Sequence, residues 1–511
     1  SVVLLCSGFA LYSFFRLSAA EGQKDFNLYE LVPSTTSAVF VTDDVLEFVA
    51  EVDELTCSKN QQYLYVSKLF SYLKQSLYAL SEDTPHGLSR QMNQMLISFH
   101  EPDNERNQVL YCRLGNGDKE LVNRFVRKYI SSLYPPKTFI YKGEEMIIYP
   151  MADGDFLACY LTSDFMALSF QKKLIENVID AYKSGKSLAD DSTFTGIRAP
   201  KKSAAAATIY TRMQGMMGWT EFDMKMKDDF IYFSGITHDA DTCFAFINQL
   251  RQQQSVKGFP GEVLPSTAFY FSRQGITDWV SLLSYGNAQG QSVSTRTSEV
   301  QNRDKEFSRY LMENAGQDLV ACLFQREDTL QGAAAVLSLS VADVTEAERM
   351  LRALVNAAPA DEGRRNPRIT FCYTVNKAYP IYRLPQTTLF EQLTSFAEPT
   401  LDVYAAFYGG RLLLAPDADA LAHYIRQLDK GEVLNGAMAY QTGMDHLSDS
   451  YHFMLMADFD HIFQQSENHV RFVPDFFLRN ADFFRHFTLF VQFACADGVV
   501  YPNIVLKYKS E

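Results

Sequence analysis

The sequence predicts an α+β protein in which one structural unit occurs twice, in tandem and diverged, after an N-terminal membrane helix. The segment ELVPST at residues 30–35 recurs as EVLPST at residues 262–267. After both copies, alternating apolar runs typical of strands and apolar stripes at helical spacing follow in the same order. The first fifteen residues carry no charge. We therefore predict an anchor or signal segment over residues 1–22, a first repeat over 23–255 and a second over 256–511.

Length and composition suit two globular domains and argue against a nucleic-acid partner. The chain has 511 residues, more than a single core of about 250–300 residues accommodates. Apolar residues make up 47% and charged residues 21%, as in a globular protein. The net charge is -14 and no basic stripe occurs, whereas phosphate backbones are bound by clustered lysine and arginine.

The opening segment predicts a transmembrane anchor. As a helix, the run SVVLLCSGFALYSFF would be about 22 Å long, and a few more apolar residues before it would complete a span of roughly 30 Å. Ser18, Ala19 and Ala20 also fit a signal-peptidase site, but Arg16 before that site favours the anchor over cleavage. Lipidation of Cys6 is a weaker alternative because apolar residues surround it. In each case the remainder of the chain is expected outside the cytoplasm.

Both entrances lead into a strand and then a helix. SAVFV follows ELVPST as an alternating strand, and TDDVLEFVAEV is then a helix with Thr42 predicted as its N-cap. AFYFS and TDWVSLL occupy the same places after EVLPST. Pro33 and Pro265 should each precede the first strand of their unit, where a missing N–H costs no hydrogen bond of the sheet.

The correspondence continues through several further pairs of segments. LYCRLGNGDKELVNRFVRKYIS and AAAVLSLSVADVTEAERMLRALVN each give a strand, a turn and a helix, with Asp343 and Glu346 spaced as a capping box. DFLACYLTSDFMALSF and DVYAAFYGGRLLLAP each give two strands, and Gly409 and Gly410 supply the positive φ of a tight turn. Amphipathic helices then lead to FTGI and QTGM, and each half ends in a hairpin. RQQQSVKGFPGE, residues 251–262, is the predicted boundary.

The order of strands along the chain also predicts the type of sheet. Successive strands joined by short turns pair with their neighbours, which makes the sheet of each unit mainly antiparallel. An antiparallel sheet commonly buries one face, so we expect the helices of each unit on one face.

The cysteines predict buried thiols, in preference to a disulfide framework or a metal site. None of the eight forms a CxxC pair, and five lie inside alternating apolar runs, where a thiol acts as a small hydrophobic group. Those five are Cys112, Cys159, Cys322, Cys372 and Cys495.

An N-terminal membrane helix, the ELVPST entry into a strand and two diverged α+β copies resemble the membrane-anchored envelope proteins of Bacteroidota that form a domain family of unknown function. The resemblance covers nearly the whole chain. It implies a main body in the periplasm, and it carries no catalytic residue to any position of this sequence.

The histidines are the main candidates for chemistry. Five of the nine lie between residues 446 and 486, but none has the i, i+2 or i, i+4 spacing with which one strand or helix binds zinc. With Asp458 and Asp460 they would form a hydrolytic site only if the fold assembled them. The five are His446, His452, His461, His469 and His486.

Other catalytic motifs are incomplete. SYLK and SFQK have the Ser-x-x-Lys spacing of penicillin-recognising enzymes, but the Ser-Asp-Asn and Lys-Thr-Gly motifs that accompany it are absent. No GxSxG occurs, and LGNGDKE lacks the third glycine of a phosphate-binding loop. We therefore assign no catalytic, cofactor-binding or metal-binding residue from the sequence.

The sequence favours a non-catalytic, membrane-tethered binding or scaffolding protein of the bacterial envelope, with a protein or another envelope component as its partner. One alternative is an envelope hydrolase that uses the histidines and aspartates of the second repeat. The other is a carrier of lipid or hydrophobic ligands, for which the aromatic content of 14% would provide apolar surface.

Overall fold

The computed structural model divides the chain into two compact units. Unit 1 comprises Ser1–Asp53 and Tyr65–Glu221, and unit 2 comprises Glu54–Leu64 and Phe222–Glu511. The predicted anchor over residues 1–22 lies outside the described residues. Among the helices of the described part of the chain, none has the length and apolar character needed to cross a bilayer. The structure describes residues 26–59, 92–101, 106–115, 118–126, 134–151, 154–198, 205–212, 218–237, 250–277, 279, 298–326, 332–357, 368–375, 377–385, 402–465, 473 and 475–509.

Unit 1 is organised around an antiparallel sheet, as the sequence predicts for each unit. In chain order its strands are β1 (Ala38–Thr42), β2 (Met95–Phe99), β3 (Gln108–Arg113), β4 (Lys137–Tyr141), β5 (Glu144–Pro150), β6 (Phe156–Leu161), β7 (Phe165–Ser169) and β8 (Ala207–Thr211). Across the sheet they lie in the order β8-β1-β2-β3-β7-β6-β5-β4.

Unit 2 also contains an antiparallel sheet. Its strands, the first of which begins at the unit boundary, are β9 (Thr220–Lys227), β10 (Phe230–Thr237), β11 (Val256–Lys257), β12 (Ala268–Gly275), β13 (Ala315–Gln325), β14 (Ala333–Val341), β15 (Ile369–Tyr373), β16 (Ala378–Pro385), β17 (Asp402–Tyr408), β18 (Arg411–Ala415), β19 (Ser450–Tyr451), β20 (Phe453–Asp458), β21 (Phe487–Ala496) and β22 (Val499–Tyr508). The order across the sheet is β9-β10-β22-β21-β20-β12-β13-β14-β18-β17-β16-β15. β11 and β19 pair separately.

The helices lie between these strands in the chain, which makes the protein α+β. They are α1 (Val45–Glu54), α2 (Thr56–Lys59), α3 (Asp118–Phe125), α4 (Lys172–Ser184), α5 (Ser192–Ile197), α6 (Ser298–Asn314), α7 (Val344–Ala357), α8 (Ala418–Asp429), α9 (Met438–Met444), α10 (Phe459–Phe463), α11 (Asp475–Arg479) and α12 (Ala481–Phe484). Single 3-10 turns at Leu28–Glu30, Pro260–Glu262 and Leu434–Gly436 complete the described elements.

α4 shows how the apolar stripe of a helix is anchored. Its buried residues include Ile175, Val178 and Ile179, which share one face at helical spacing. Burying each of these side chains contributes about 1.5–3 kcal/mol. The helix ends at Gly185, whose φ of 62° is the left-handed conformation that stops a helix at little cost for glycine.

Helices cover both faces of the sheet in unit 2, so the expectation of helices on one face is wrong. Val336 of β14 belongs to the same apolar cluster as Leu421 of α8, whereas Leu337 belongs to the cluster of Leu351 in α7. Adjacent residues of a strand point to opposite faces, so α8 and α7 lie on opposite sides. Continuous apolar runs such as AAAVLSL and LLLA indicate burial on both faces, because strands of this kind lack the alternation of apolar and polar residues.

Unit 1 has the same layering. Val39 of β1 lies in the apolar cluster that contains Ile175 and Val178 of α4. The next residue, Phe40, contacts Phe48 of α1 on the other face, with ring centroids 5.1 Å apart. The sheet is therefore covered on both sides here too.

Each of the two prolines in the repeated entrance forms an isolated bridge before a strand. Pro33 forms an isolated antiparallel bridge with Ser187 and precedes β1. Pro265 forms one with Val433 and precedes β12. Both prolines lie outside the ladder of the sheet, and Pro33 precedes the first strand of unit 1 as predicted. The prediction is wrong for Pro265, because β9, β10 and β11 come before it in unit 2.

The residue that caps the start of α7 is the predicted one, whereas α1 is capped by a different residue. The Asp343 carboxylate accepts a hydrogen bond from Glu346 N at 3.1 Å, as the capping box predicts. At α1 the cap is Asp44, whose Oδ1 accepts from Glu47 N at 2.9 Å. The predicted cap Thr42 instead accepts a bond from Asp44 N at 3.3 Å and ends β1.

The two units divide at residues 221/222, whereas the sequence predicts a boundary at 255/256. β10 pairs antiparallel with β22 from Phe230 opposite Lys507 to Thr237 opposite Val500. This ladder joins β10 to the end of the chain, and the hairpin of β9 and β10 therefore belongs to unit 2. The pairing partner, and not the polar linker composition, sets the boundary.

The described cysteines are free thiols, as predicted. Burial raises the pKa of the Cys112 thiol to about 12, which makes it unreactive at neutral pH. Cys6 and Cys243 lie outside the described residues. The thiols of Cys57, Cys112, Cys159, Cys322 and Cys372 are buried, and that of Cys495 is half-buried.

Candidate functional site

The structure brings together two of the residues proposed for hydrolysis, Asp458 and His461. Asp458 ends β20 and caps α10, accepting from Asp460 N at 3.1 Å. His461 Nδ1 lies 3.5 Å from Asp458 Oδ1, and Lys509 Nζ lies 2.7 Å from the same oxygen. Burial alone would raise the pKa of Asp458, but hydrogen bonds from His461 and Lys509 outweigh it and hold that pKa below its usual value. The hydrogen bond to Asp458 in turn raises the pKa of His461.

This pair borders a groove of about 190 Å³ in unit 2. Ser266 and Thr267 of the repeated entrance and Thr488 of β21 also line it. The Oδ1 atom of Asp458 already accepts hydrogen bonds from the first turn of α10 and from Lys509. The main role of this carboxylate is therefore to stabilise the start of α10. Asp458 and His461 are nevertheless two of the residues that the hydrolase alternative names, and both line this groove.

The other predicted histidines do not join this groove. His446 contacts Phe230 and Tyr232, and the Nδ1 atom of His452 accepts from Cys495 N at 3.1 Å. His486 contacts Tyr508, and His469 lies outside the described residues. Within the residues that the structure describes, no group of three or more histidine, cysteine, aspartate or glutamate side chains is arranged to hold a metal ion.

A second polar cluster, in unit 1, was missed in the sequence. Ser98 Oγ lies 2.9 Å from His100 Nε2 and 3.0 Å from the hydroxyl of Tyr111. The sequence signal was Ser-x-His at the end of β2, where His100 directly follows the last strand residue and extended alternation keeps it on the face of Ser98. Ser98 and Tyr111 are fully buried, so the serine has no access to a substrate and the cluster stabilises the fold.

This cluster makes unit 1 sensitive to acid. Burial lowers the pKa of His100 to about 4, whereas an unfolded histidine titrates near 6.5. Between these values the unfolded chain binds the proton and the folded chain does not, so stability falls as the pH falls. We expect unit 1 to lose about 2 kcal/mol of unfolding free energy between pH 7 and pH 5.

The measurement is urea unfolding at both pH values, followed by Trp219 fluorescence in a Trp279→Phe background. His100→Gln keeps an amide beside Ser98 but does not titrate, so it should remove most of the pH dependence. An equal loss in the variant and its parent would show that another group is responsible.

The larger of the two cavities described lies within unit 1 and has a volume of about 270 Å³. It opens where β1 ends and where β2 and β8 begin. No sequence motif marks it, because its charged side chains come from separate segments. Those charged or hydrogen-bonding side chains include Tyr29, Asp43, Gln94, Arg113 and Arg198.

An exposed apolar stripe runs along β15, which ends the sheet of unit 2. Phe371, Tyr373 and Val375 are 53%, 71% and 98% exposed, and Ile369 is 38% exposed. Cys372 between them is buried against α8, where its thiol meets Ala422 O at 3.5 Å. One face of β15 is therefore core and the other is a row of exposed apolar side chains.

The main-chain groups of the same residues face away from the sheet. Thr374 N donates to Lys377 O at 3.0 Å, and Arg383 N donates to Arg368 O at 2.9 Å. Alternate residues of an antiparallel strand bond to opposite sides, so the even-numbered residues of β15 bond to β16 and the odd-numbered ones face the open edge. In the described part of unit 2 no strand pairs with that edge. The residues facing it are Ile369, Phe371 and Tyr373.

The chain was also compared with known proteins. No protein-family model, curated protein or solved structure matches it.

Proposed function

We propose that this chain is a non-catalytic binding or scaffolding protein of the bacterial envelope that takes up an extended segment of a partner protein along β15. The observation that carries the proposal is the open edge of β15, where exposed apolar side chains and outward main-chain groups coincide. A soluble surface normally protects such an edge with charges or a covering loop. Addition of a partner strand would satisfy the main-chain groups and bury the aromatic rings together.

The charges around β15 favour a partner with acidic flanks. Between Arg368 and Lys377 the sequence contains no charged residue. Both ends of the edge are therefore cationic and its centre is neutral. A second copy laid antiparallel would place cations against cations at both ends, whereas an apolar segment with acidic flanks complements them.

The proposal includes the origin of the two units by duplication. The order β8-β1-β2-β3-β7-β6-β5-β4 of unit 1 has the same form as β20-β12-β13-β14-β18-β17-β16-β15 of unit 2. The bridges of Pro33 and Pro265 support the same origin. In this scheme β4 corresponds to β15, and it too is an open edge within the described part of its unit, with Ile140 70% exposed.

Membrane tethering through residues 1–22 and a periplasmic main body are part of this proposal. They rest on the uncharged opening run, and the resemblance to anchored envelope proteins of Bacteroidota points the same way. The partner would then be a protein or another component of the envelope.

The hydrolase alternative retains one supporting observation, the groove beside Asp458 and His461. Lipid carriage gains no support from the two cavities described, whose volumes of about 270 and 190 Å³ are small. Drug-sized ligands already occupy about 300–1,000 Å³.

Site-specific photo-crosslinking in native membranes tests the β15 edge. A photoreactive residue at Phe371 should give one adduct with a partner peptide that is apolar and flanked by acidic residues. The matched control is Met438, which is 80% exposed and lies outside the edge. Tyr373→Lys should reduce the adduct at least about tenfold because a desolvated charge opposes strand addition.

The folded state should not change, since Tyr373 is mostly exposed. An adduct with a second copy of this chain would contradict the partner proposed here. Equal labelling from Phe371 and Met438, or none from Phe371, would contradict the edge itself.

A further inference from the structure

We propose that the 270 Å³ cavity of unit 1 binds a small organic acid whose carboxylate is held by Arg198 and whose hydrogen-bond donor faces Gln94. This site is separate from β15 and does not depend on the function proposed for that edge.

The cavity is built from one face of the sheet. Val41 of β1 lies opposite both Leu96 of β2 and Thr208 of β8, and all three side chains line the cavity. Cys112 pairs with Met95, so the same register places Arg113 opposite Gln94, the residue just before β2. The floor is therefore rigid sheet, which fixes the polar groups at its rim.

Arg198 is positioned to receive an anion. Its guanidinium lies 4.1 Å from the centroid of the Tyr29 ring, just after the end of α5. Within the described residues it forms no ion pair with a carboxylate. Stacking on the ring holds the guanidinium plane and leaves its N–H groups available at the edge, the geometry that suits a carboxylate or phosphate.

The charges around Tyr29 show that the groups converge. Burial raises the pKa of Tyr29 to about 12, Arg198 and Arg113 act to lower it, and Asp43 and Glu221 act to raise it. All four charged side chains are thus close enough to the phenol to affect it.

Gln94 requires a hydrogen-bond donor on the ligand. Its Nε2 donates to Asp43 Oδ1 at 2.5 Å. Its Oε1 is buried and, among the described residues, has no hydrogen-bond partner. A buried acceptor without a donor is costly, so a ligand with an ammonium or hydroxyl group gains by supplying one.

Size and hydrogen-bonding groups together restrict the chemical class. A volume of 270 Å³ equals that of about nine water molecules in the liquid. An acidic amino acid fits, since it combines a carboxylate for Arg198 with an ammonium group for Gln94. Inorganic phosphate shares the affinity for arginine but carries no ammonium group.

Isothermal titration calorimetry of the full chain at low salt tests the site with three probes, namely glutamate, glutarate and inorganic phosphate. Glutamate should bind. Glutarate, which lacks the ammonium group, and phosphate should both bind at least about tenfold more weakly.

Two variants separate the contacts. Arg198→Gln should weaken glutamate at least about tenfold, whereas Arg106→Gln, at an exposed arginine paired with Asp155 outside the cavity, should leave binding unchanged. Gln94→Met should weaken the binding of glutamate and leave the binding of glutarate unchanged. A cavity that acted only through its charge would not distinguish the two ligands in this way.

Absence of glutamate binding up to about 10 mM would overturn the proposal. Equal binding by Arg198→Gln and the parent would also overturn it. Tighter binding of phosphate than of glutamate would assign the cavity to phosphate esters and would remove the role of Gln94.

Discussion

Replacing Asp318 with alanine is expected to lower the free energy of unfolding of unit 2 by about 3–5 kcal/mol. Asp318 is 7% exposed and lies between two arginines. Its Oδ2 is 2.9 Å from Arg273 Nε and its Oδ1 is 3.1 Å from Arg411 Nη1. Without the carboxylate, two nearly buried guanidinium groups face each other and no charge compensates them.

Urea unfolding followed by Trp279 fluorescence measures this loss. Glu306→Gln is the matched control, because it removes a carboxylate whose partner Arg303 is exposed and it should change stability by less than about 0.5 kcal/mol. A loss below about 1 kcal/mol for Asp318→Ala would show that water reaches both arginines.

Gly443→Ala is expected to cost about 3 kcal/mol of unfolding free energy. A Cβ at Gly443 would lie 2.2 Å from the Cζ atom of Phe490. Phe490 is fully buried in the core of unit 2, so its ring cannot move aside without displacing other core residues. The variant should unfold at a lower urea concentration, while the slope of unfolding free energy against urea concentration stays unchanged.

The chain supplies the control for this substitution. Gly196 occupies the corresponding place in FTGI that Gly443 occupies in QTGM, and a Cβ there would meet nothing within 4 Å. Gly196→Ala in α5 should therefore be neutral or should stabilise unit 1 by up to about 1 kcal/mol through helix propensity. Equal losses at both positions would show that flexibility, and not the contact with Phe490, matters.

Local chemistry made many elements predictable. Gly409 and Gly410 adopt φ values of 54° and 78°, as the hairpin between β17 and β18 requires. Asp343 caps α7 through Glu346 N. Such features depend on a few neighbouring residues, so the sequence contains all the information that they need.

The candidate sites were predictable only in part. Asp458 and His461 are three residues apart and meet across the first turn of α10, so their proximity is local. Arg198 and Gln94 line one cavity although they lie far apart in the chain. Their convergence depends on the register of β1, β2 and β8, which no local pattern encodes.

By itself the sequence determined the antiparallel α+β character, the order of most strands and helices and the place of Pro33 before β1, because turn chemistry and apolar periodicity are local. Only the tertiary structure decided that helices cover both faces of each sheet, that β10 pairs with β22 at the end of the chain, and that β15 remains an open edge. These features depend on which distant strands find each other, and that choice follows from the burial of complementary apolar faces across the whole unit.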